Sequence, residues 1–340
     1  MQYCRLGRIG LRVSRTGFGA LPIQRLSMEE AARLLRKAFD AGITLFDTAR
    51  SYTDSEEKIG RALGDVRDRV ILATKSSAKD RTGILRHVET SLGLMKRDVV
   101  DIYQLHNPDA LPDPNDPNSS YAGLVEARRQ GKIRFIGISS HKPKLWREAC
   151  ASGLYDTIQM PLSGISSEED FHAAEDCGHN GLGILAMKPF CGGLLTNPLT
   201  SFAVLRQYDH VVPIWGFQRE TELDSVLALE ANPPTLDHTI LRQIEKDRLE
   251  LAGEFCRGCG YCLPCPQNIR IPFAARMAYL LRRAPWQSYT TPEWRSQMAL
   301  IENCENCGEC RARCPYNLDT PKLLQKMYAD YQAFCREKGL

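Results

Sequence analysis

The stretch Ser27-Met-Glu-Glu-Ala-Ala-Arg-Leu-Leu-Arg-Lys-Ala-Phe-Asp-Ala-Gly-Ile-Thr-Leu-Phe-Asp-Thr48 holds one helix and one strand side by side. Ser27 and Glu30 have capping-box spacing, apolar residues recur at helical period after them, and Gly42 stops the period. Ile43 to Thr48 is then a short buried strand. The same unit recurs in both directions. Strands are expected over Thr16–Leu21, Ile43–Thr48, Val70–Lys75, Asp101–His106, Ile133–Ser139, Thr157–Pro161, Gly183–Pro189 and Val211–Phe217. Helical period fills the spaces between: Ser55–Leu63, Gly83–Leu94, Ala122–Gln130, Leu145–Ala151, Glu169–Cys177, a short Phe202–Tyr208, and Glu220–Leu229. Strands alternating with helices pair in parallel, and eight such units close into a (β/α)8 TIM barrel. An open doubly wound sheet would want a glycine-rich turn after its first strand, and Gly17-Phe18-Gly19-Ala20 is not that turn. Ahead of the barrel, Cys4–Leu6 and Arg12–Ser14 flank Gly7 and Gly10 and read as a hairpin.

Composition shifts at Ala231-Asn-Pro-Pro234. The reading divides the chain into a barrel over residues 1–232 and a small all-α domain over 233–340, with helices at Ile240–Leu251, Ile271–Arg283 and Pro321–Arg336. That second domain holds the outlying feature of the composition. Of 13 cysteines, eight fall between Cys256 and Cys314. One run is Cys256-Arg-Gly-Cys259-Gly-Tyr-Cys262-Leu-Pro-Cys265-Pro266; the other is Cys304-Glu-Asn-Cys307-Gly-Glu-Cys310-Arg-Ala-Arg-Cys314-Pro315. The second matches the C-x2-C-x2-C-x3-C-P run of two-cluster iron–sulfur proteins, and the first is one residue short before its last cysteine. In such runs the fourth cysteine ligates the other cluster. That predicts Cys256, Cys259, Cys262 and Cys314 around one [4Fe-4S] cluster, with Cys304, Cys307, Cys310 and Cys265 around the other. A single cluster with a structural first run is the rival. Zinc would use cysteines in pairs, and disulfides would need an oxidising compartment.

Other classes fall away on charge and hydropathy. The chain has 44 Lys+Arg against 41 Asp+Glu over 340 residues, a formal charge of +3, and no basic run of five. It offers no field for nucleic acid or an anionic membrane. No apolar stretch approaches the ~20 residues that span a bilayer. The opening Met1-Gln-Tyr-Cys-Arg5 lacks an apolar leader, so a cytoplasmic location is expected.

In a parallel barrel, chemistry gathers at the carboxyl ends of strands. Those ends carry Asp47, Lys75 and His106, with Tyr52 on the loop after Asp47. Four ionisable groups on one rim make a candidate catalytic set. Phe46-Asp47-Thr48-Ala49, Tyr52 and Ser55-Glu-Glu-Lys-Ile-Gly-Arg-Ala-Leu63 resemble the aldo-keto reductase signature. Lys75, His106, Gly137-Ile-Ser-Ser140, Gln159 and Val212-Pro-Ile-Trp-Gly216 are similar to that family's later landmarks, in order over residues 1–230. The cysteine-rich tail, with Met187-Lys-Pro-Phe190, resembles the branch that carries a C-terminal ferredoxin-like 4Fe-4S domain.

The resemblance implies an NADP- or NAD-dependent oxidoreductase that interconverts a small-molecule carbonyl and an alcohol. Tyr52 would be the general acid, Lys75 the cation that lowers its pKa, Asp47 the charge that holds Lys75, and His106 the group orienting the carbonyl oxygen. Ser139, Gln159, Lys188, Gly216 and Gln218 would bind the coenzyme. Two other classes compete: an electron-transfer or redox-sensing protein whose clusters exchange electrons with a redox partner protein docked by the barrel, and a barrel serving only for binding. The intact rim set counts against the last.

Overall fold

The computed structural model describes residues 1–193, 195, 197–251, 256, 258, 260–283, 285–314 and 316–340. The chain divides into two compact units, Met1–Phe190 with Thr196–Arg242, and Cys191–Leu195 with Gln243–Leu340.

The first unit opens with an antiparallel hairpin, β1 (Tyr3–Leu6) and β2 (Leu11–Ser14). Eight parallel strands then close a barrel: β3 (Gly17–Gly19), β4 (Leu45–Asp47), β5 (Ile71–Ser76), β6 (Val100–His106), β7 (Ile133–Ser139), β8 (Thr157–Pro161), β9 (Gly183–Met187) and β10 (Val211–Gly216). Neighbours pair in sequence order, and β10 closes against β3. Between them run α1 (Met28–Asp40), α2 (Ser55–Leu63), α3 (Arg81–Met95), α4 (Ser120–Arg129), α5 (Pro143–Ser152), α6 (Glu168–His179) and α7 (Leu199–Leu205), with α8 (Glu220–Ala231) after the last strand. The expected (β/α)8 barrel is therefore present.

Local chemistry explains these bounds. Ser27 accepts from the Glu30 N–H while the Glu30 carboxylate answers the Ser27 N–H, so α1 starts with the predicted capping box. Its Ala31, Leu34, Leu35, Ala38 and Phe39 are buried on one face. Inside the barrel, Leu45, Ala73, Ile102, Leu185, Val212 and Ile214 pack with Leu6, Leu11 and Val13 of the hairpin, which plugs the amino-terminal end. Gly7 lets that plug seat. Its φ is +50°, and a Cβ there would lie 2.4 Å from the Gly183 nitrogen. Gly60 does the same for α2 against α3, where a Cβ would meet the Leu94 carbonyl at 2.2 Å.

α9 (His238–Leu251) begins in the first unit and continues into the second, which then holds α10 (Ile271–Ala274), α11 (Met277–Arg283), α12 (Pro292–Ala299), α13 (Glu309–Ala312) and α14 (Thr320–Glu337). The second unit's core is a separate cluster around Ile271, Met277, Leu281, Met298, Ile301, Leu323 and Leu324. The single helix expected over Ile271–Arg283 is broken. The Pro272 carbonyl takes the Arg276 side-chain Nε at 2.6 Å, while the Arg276 backbone N–H turns to Phe273. That exchange ends α10 after one turn. The expectation also passed over α12, which starts from a Thr291 cap on the Trp294 N–H with proline in its first turn, but lacks an apolar stripe.

Candidate active site

Strand register gathers the site. Asp47 and His106 end β4 and β6, Lys75 is the penultimate residue of β5, Ser139 ends β7 and Gln159 lies in β8. Lys75 pairs laterally with Gln104, His106 with Ser139, and Ser139 with Gln159. Their side chains therefore converge on one rim without help from long loops.

Lys75 Nζ donates to both Asp47 carboxylate oxygens, at 2.7 and 2.8 Å, and to the Thr48 carbonyl at 2.5 Å. The Asp47 carboxylate also receives Nε2 of Gln159 at 3.2 Å and of Gln104 at 3.5 Å. Burial pushes Asp47 up and Lys75 down, and each charge opposes the other's shift. The hydrogen-bond set favours the ionised pair. All three ammonium protons meet acceptors, and the carboxylate meets only donors.

Tyr52 sits above this pair. Its ring centre lies 5.5 Å from Lys75 Nζ, and its ring meets that of His106 edge-on at 5.8 Å. The loop carrying Tyr52 is tied down by the Arg50 N–H on the Lys75 carbonyl at 2.9 Å, and by an ion pair between Arg50 and buried Glu56 of α2. Glu56 also accepts from Thr74 Oγ1 at 2.7 Å and Ser91 Oγ at 2.8 Å, so one carboxylate fastens the loop, β5 and α3 together. Burial, aided by the Lys75 charge, pushes the His106 imidazole down to about 3. It is neutral near pH 7. Its Nδ1 shares a hydrogen bond with Ser51 Oγ at 3.3 Å.

Beside these, Ser139 Oγ donates to the Leu105 carbonyl at 3.2 Å and accepts the Asn107 N–H at 3.3 Å, leaving one lone pair. Gln159 uses one amide hydrogen on Asp47 and accepts from Gln104 Nε2 at 3.0 Å. Gln104 Oε1 is buried with no hydrogen-bond partner among the described residues. The remaining coenzyme candidates lie along later strand ends. Lys188 follows β9 in the left-handed region at φ +64°, and Gly216 ends β10. The N–H groups of Gln218 and Arg219 already face the Glu222 carboxylate, at 2.7 and 3.2 Å, and the Arg219 guanidinium reaches it at 3.0 Å.

Thiols ring two cavities in the second unit. One is lined by Cys265, Cys304, Cys307 and Cys310, with Cys262 also at its wall. The other is lined by Cys256, Cys262 and Cys314. Cys259 lies outside the described residues. Among the described residues, no three His, Cys, Asp or Glu side chains form a group that could hold a single metal ion.

The aldo/keto reductase family model matches residues 15–211, more than half of the chain. The chain belongs to the aldo-keto reductase family. A second family model, a 4Fe-4S dicluster domain, matches residues 255–319. The reductase part is 32% identical over 223 residues to the aldo-keto reductase YhdN of Bacillus subtilis (strain 168), covering 59% of this chain and 65% of that one. It is 30% identical over 244 residues to the L-glyceraldehyde 3-phosphate reductase of Escherichia coli (strain K12), covering 58% and 63%. The chain thus spans less than two thirds of either relative. A thermostable aldo-keto reductase crystallised with the inhibitor epalrestat superposes with a TM-score of 0.60 at 26% identity, over 73% of this chain and 100% of that one. An aldo-keto reductase from Bacillus halodurans in its holo form shares the fold, with a TM-score of 0.62 at 22% identity over 73% and 96%.

For this aldo-keto reductase, sequence reasoning assigned no part to Gln104 or to Glu56. A signal for Gln104 existed: it stands two residues before His106 on one strand and so shares its face. For Glu56 there was none, because a glutamate in the first turn of a helix ordinarily reads as solvated.

Proposed function

We propose that this aldo-keto reductase interconverts a small carbonyl compound and its alcohol at the rim formed by Asp47, Tyr52, Lys75 and His106. The observation that supports this most is the buried Lys75–Asp47 pair set under the Tyr52 ring. A carbonyl oxygen that gains negative charge needs a proton, and the Tyr52 hydroxyl would give it. The Lys75 ammonium favours the phenolate left behind, and Asp47 keeps that ammonium charged against burial. His106, neutral, can donate one hydrogen bond that holds the carbonyl oxygen toward Tyr52. In the alcohol direction the same phenol oxygen takes the proton back.

The residues present fit two bound groups. The spare lone pair on Ser139, the spare amide hydrogen of Gln159 and the unmatched Gln104 Oε1 form a donor–acceptor set that suits a carboxamide, as nicotinamide carries. Lys188, Gly216 and Gln218 would line the rest of the coenzyme. The two thiol-ringed cavities suit thiolate-held cubanes, with Cys265, Cys304, Cys307 and Cys310 around one and Cys256, Cys259, Cys262 and Cys314 around the other. When bound, the nicotinamide supplies or accepts hydride and the clusters supply one-electron redox capacity. We divide the work accordingly, residues 1–232 to carbonyl chemistry and 233–340 to the clusters. A reducing compartment such as the cytoplasm would keep the cluster thiols available as ligands.

A second reading rests on Cys307, which is exposed at the edge of its cavity. A cluster held there would lie near the surface, within reach of a redox partner protein. Anaerobic turnover of a panel of aldehydes, ketones and alcohols with NADPH and NADH tests the main reading. Reduction of at least one carbonyl supports it. Absence of any turnover, with the clusters instead reduced or oxidised by an added electron carrier, would leave the electron-transfer reading in its place.

A further inference from the structure

Outside the rim and the cysteine runs, Cys150 on α5 and Cys177 on α6 meet on the outer layer of the barrel. Burial pushes the Cys177 thiol up, and the Cys150 thiol nearby adds to that shift. Cys177 Sγ also lies 3.9 Å from the Trp146 carbonyl, one helical turn before Cys150. Asn180, which caps α6, donates its Nδ2–H to Cys150 Sγ at 3.4 Å. The two environments differ. Cys150 is half-buried and within reach of a small reagent, whereas Cys177 is 1% exposed and burial pushes its thiol up.

We propose that Cys150 and Cys177 are a dithiol–disulfide pair, a redox modification site oxidised by low-molecular-weight disulfides. The thiolate of Cys150 attacks a small disulfide, forming a mixed disulfide and releasing one small thiolate. The Asn180 amide hydrogen is directed at the attacking sulfur. Cys177 Sγ then attacks Cys150 Sγ and forms the intramolecular disulfide. The second small thiolate leaves with the Cys177 proton. Two protein thiols lose two electrons in total, and one small disulfide becomes two thiols. Cys177 is buried out of the reagent's reach and cannot start this exchange, so it serves as the resolving thiol and gives its proton to the departing small thiolate as it attacks.

The consequence is mechanical. The bond joins α5 to α6, the helices that follow β7 and β8. Trp146 stands in the same turn and donates its indole N–H to the Ser140 carbonyl at 2.8 Å, beside Ser139 at the rim. Closing the pair removes conformations from the unfolded chain, so the oxidised protein should unfold at a higher Tm.

The test uses the intact protein, purified anaerobically with its clusters and equilibrated with glutathione disulfide. Free thiols are then alkylated and the peptides mapped by mass. The expected result is one linked peptide joining Cys150 to Cys177, undone by dithiothreitol and formed without loss of iron. Cys177→Ser should halt at a glutathione adduct on Cys150, and Cys150→Ser should leave Cys177 unmodified. A wild-type protein that stops at the Cys150 adduct overturns the proposal, as does one that leaves both thiols open to alkylation on unfolding. The wild-type map decides the matter even if Cys177→Ser fails to fold.

Discussion

Lys75 Nζ reaches both oxygens of the Asp47 carboxylate, at 2.7 and 2.8 Å, where both side chains are buried. Two charges taken out of water in this way cost several kcal/mol each, and only close pairing with further hydrogen bonds repays that. Here the repayment comes from the Thr48 carbonyl and the amides of Gln104 and Gln159. Such a pair is a poor device for stability and a good one for presenting a fixed cation beneath Tyr52.

Lys75→Met should therefore destabilise the barrel by about 3 kcal/mol, because it strands the Asp47 carboxylate in the interior. Adding Asp47→Asn removes the stranded charge and should return about half of that loss or more. Urea unfolding of the two single variants and the double variant gives the cycle. A double variant no more stable than Lys75→Met alone would show that the two side chains are not an ionised pair.

Tyr52→Phe removes one oxygen and leaves the ring where it packs against His106. If the hydroxyl is the proton donor, carbonyl reduction should fall by about 10²- to 10⁴-fold in kcat. Coenzyme affinity should stay within about twofold, since the loss is confined to the transition state. Stopped-flow turnover and fluorescence titration of the coenzyme separate the two. Unchanged kcat would take Tyr52 out of its assigned role.

Legibility in the sequence followed locality. Eight strands and the helices between them could be read because each unit carries its own periodicity and stop signals, as Ser27, Glu30 and Gly42 show for α1. Asp47, Lys75 and His106 could be read as rim residues because a strand's end is itself a local feature. What depends on the rotation of one element against another could not be read. The amide of Gln104 bridging Asp47 to Gln159 is one case. The carboxylate of Glu56 joining Arg50, Thr74 and Ser91 is a second, and the meeting of Cys150 with Cys177 is a third. The break between α10 and α11 failed for a different reason. A side chain, Arg276, competes there for a backbone acceptor, and no periodicity records such competition.

The His106 imidazole is pushed down from its ordinary 6.5 to about 3. Below pH 6.5 the unfolded chain takes up a proton at this position that the folded chain refuses. Stability should then fall as pH falls through that window, by at most about 1.4 kcal/mol per pH unit from this one group. His106→Gln has no such group. The gap between variant and wild type in urea midpoint should shift in the variant's favour between about pH 7 and pH 5. The His106 ring resonances should also stay unmoved over that range, and titration near 6.5 would contradict the neutral imidazole assigned to the carbonyl contact.

Iron content tests both the number of clusters and the crossed assignment of their ligands. Anaerobically purified protein should hold about eight iron and eight sulfide per chain if each cavity takes one four-iron cluster. Cys265 belongs to the first run in sequence, yet it lines the cavity of Cys304, Cys307 and Cys310. Cys314 belongs to the second run, yet it lines the cavity of Cys256 and Cys262. Ligands of one cluster should fail together. Cys265→Ser and Cys304→Ser combined should thus lose no more iron than either alone, leaving about four per chain. Cys265→Ser combined with Cys314→Ser strikes both cavities and should leave almost none. If iron instead follows sequence order, so that the Cys265 and Cys304 changes add, then the fourth cysteine of each run stays with its own run. If Cys256→Ser and Cys265→Ser together leave all the iron in place, the first run holds no cluster.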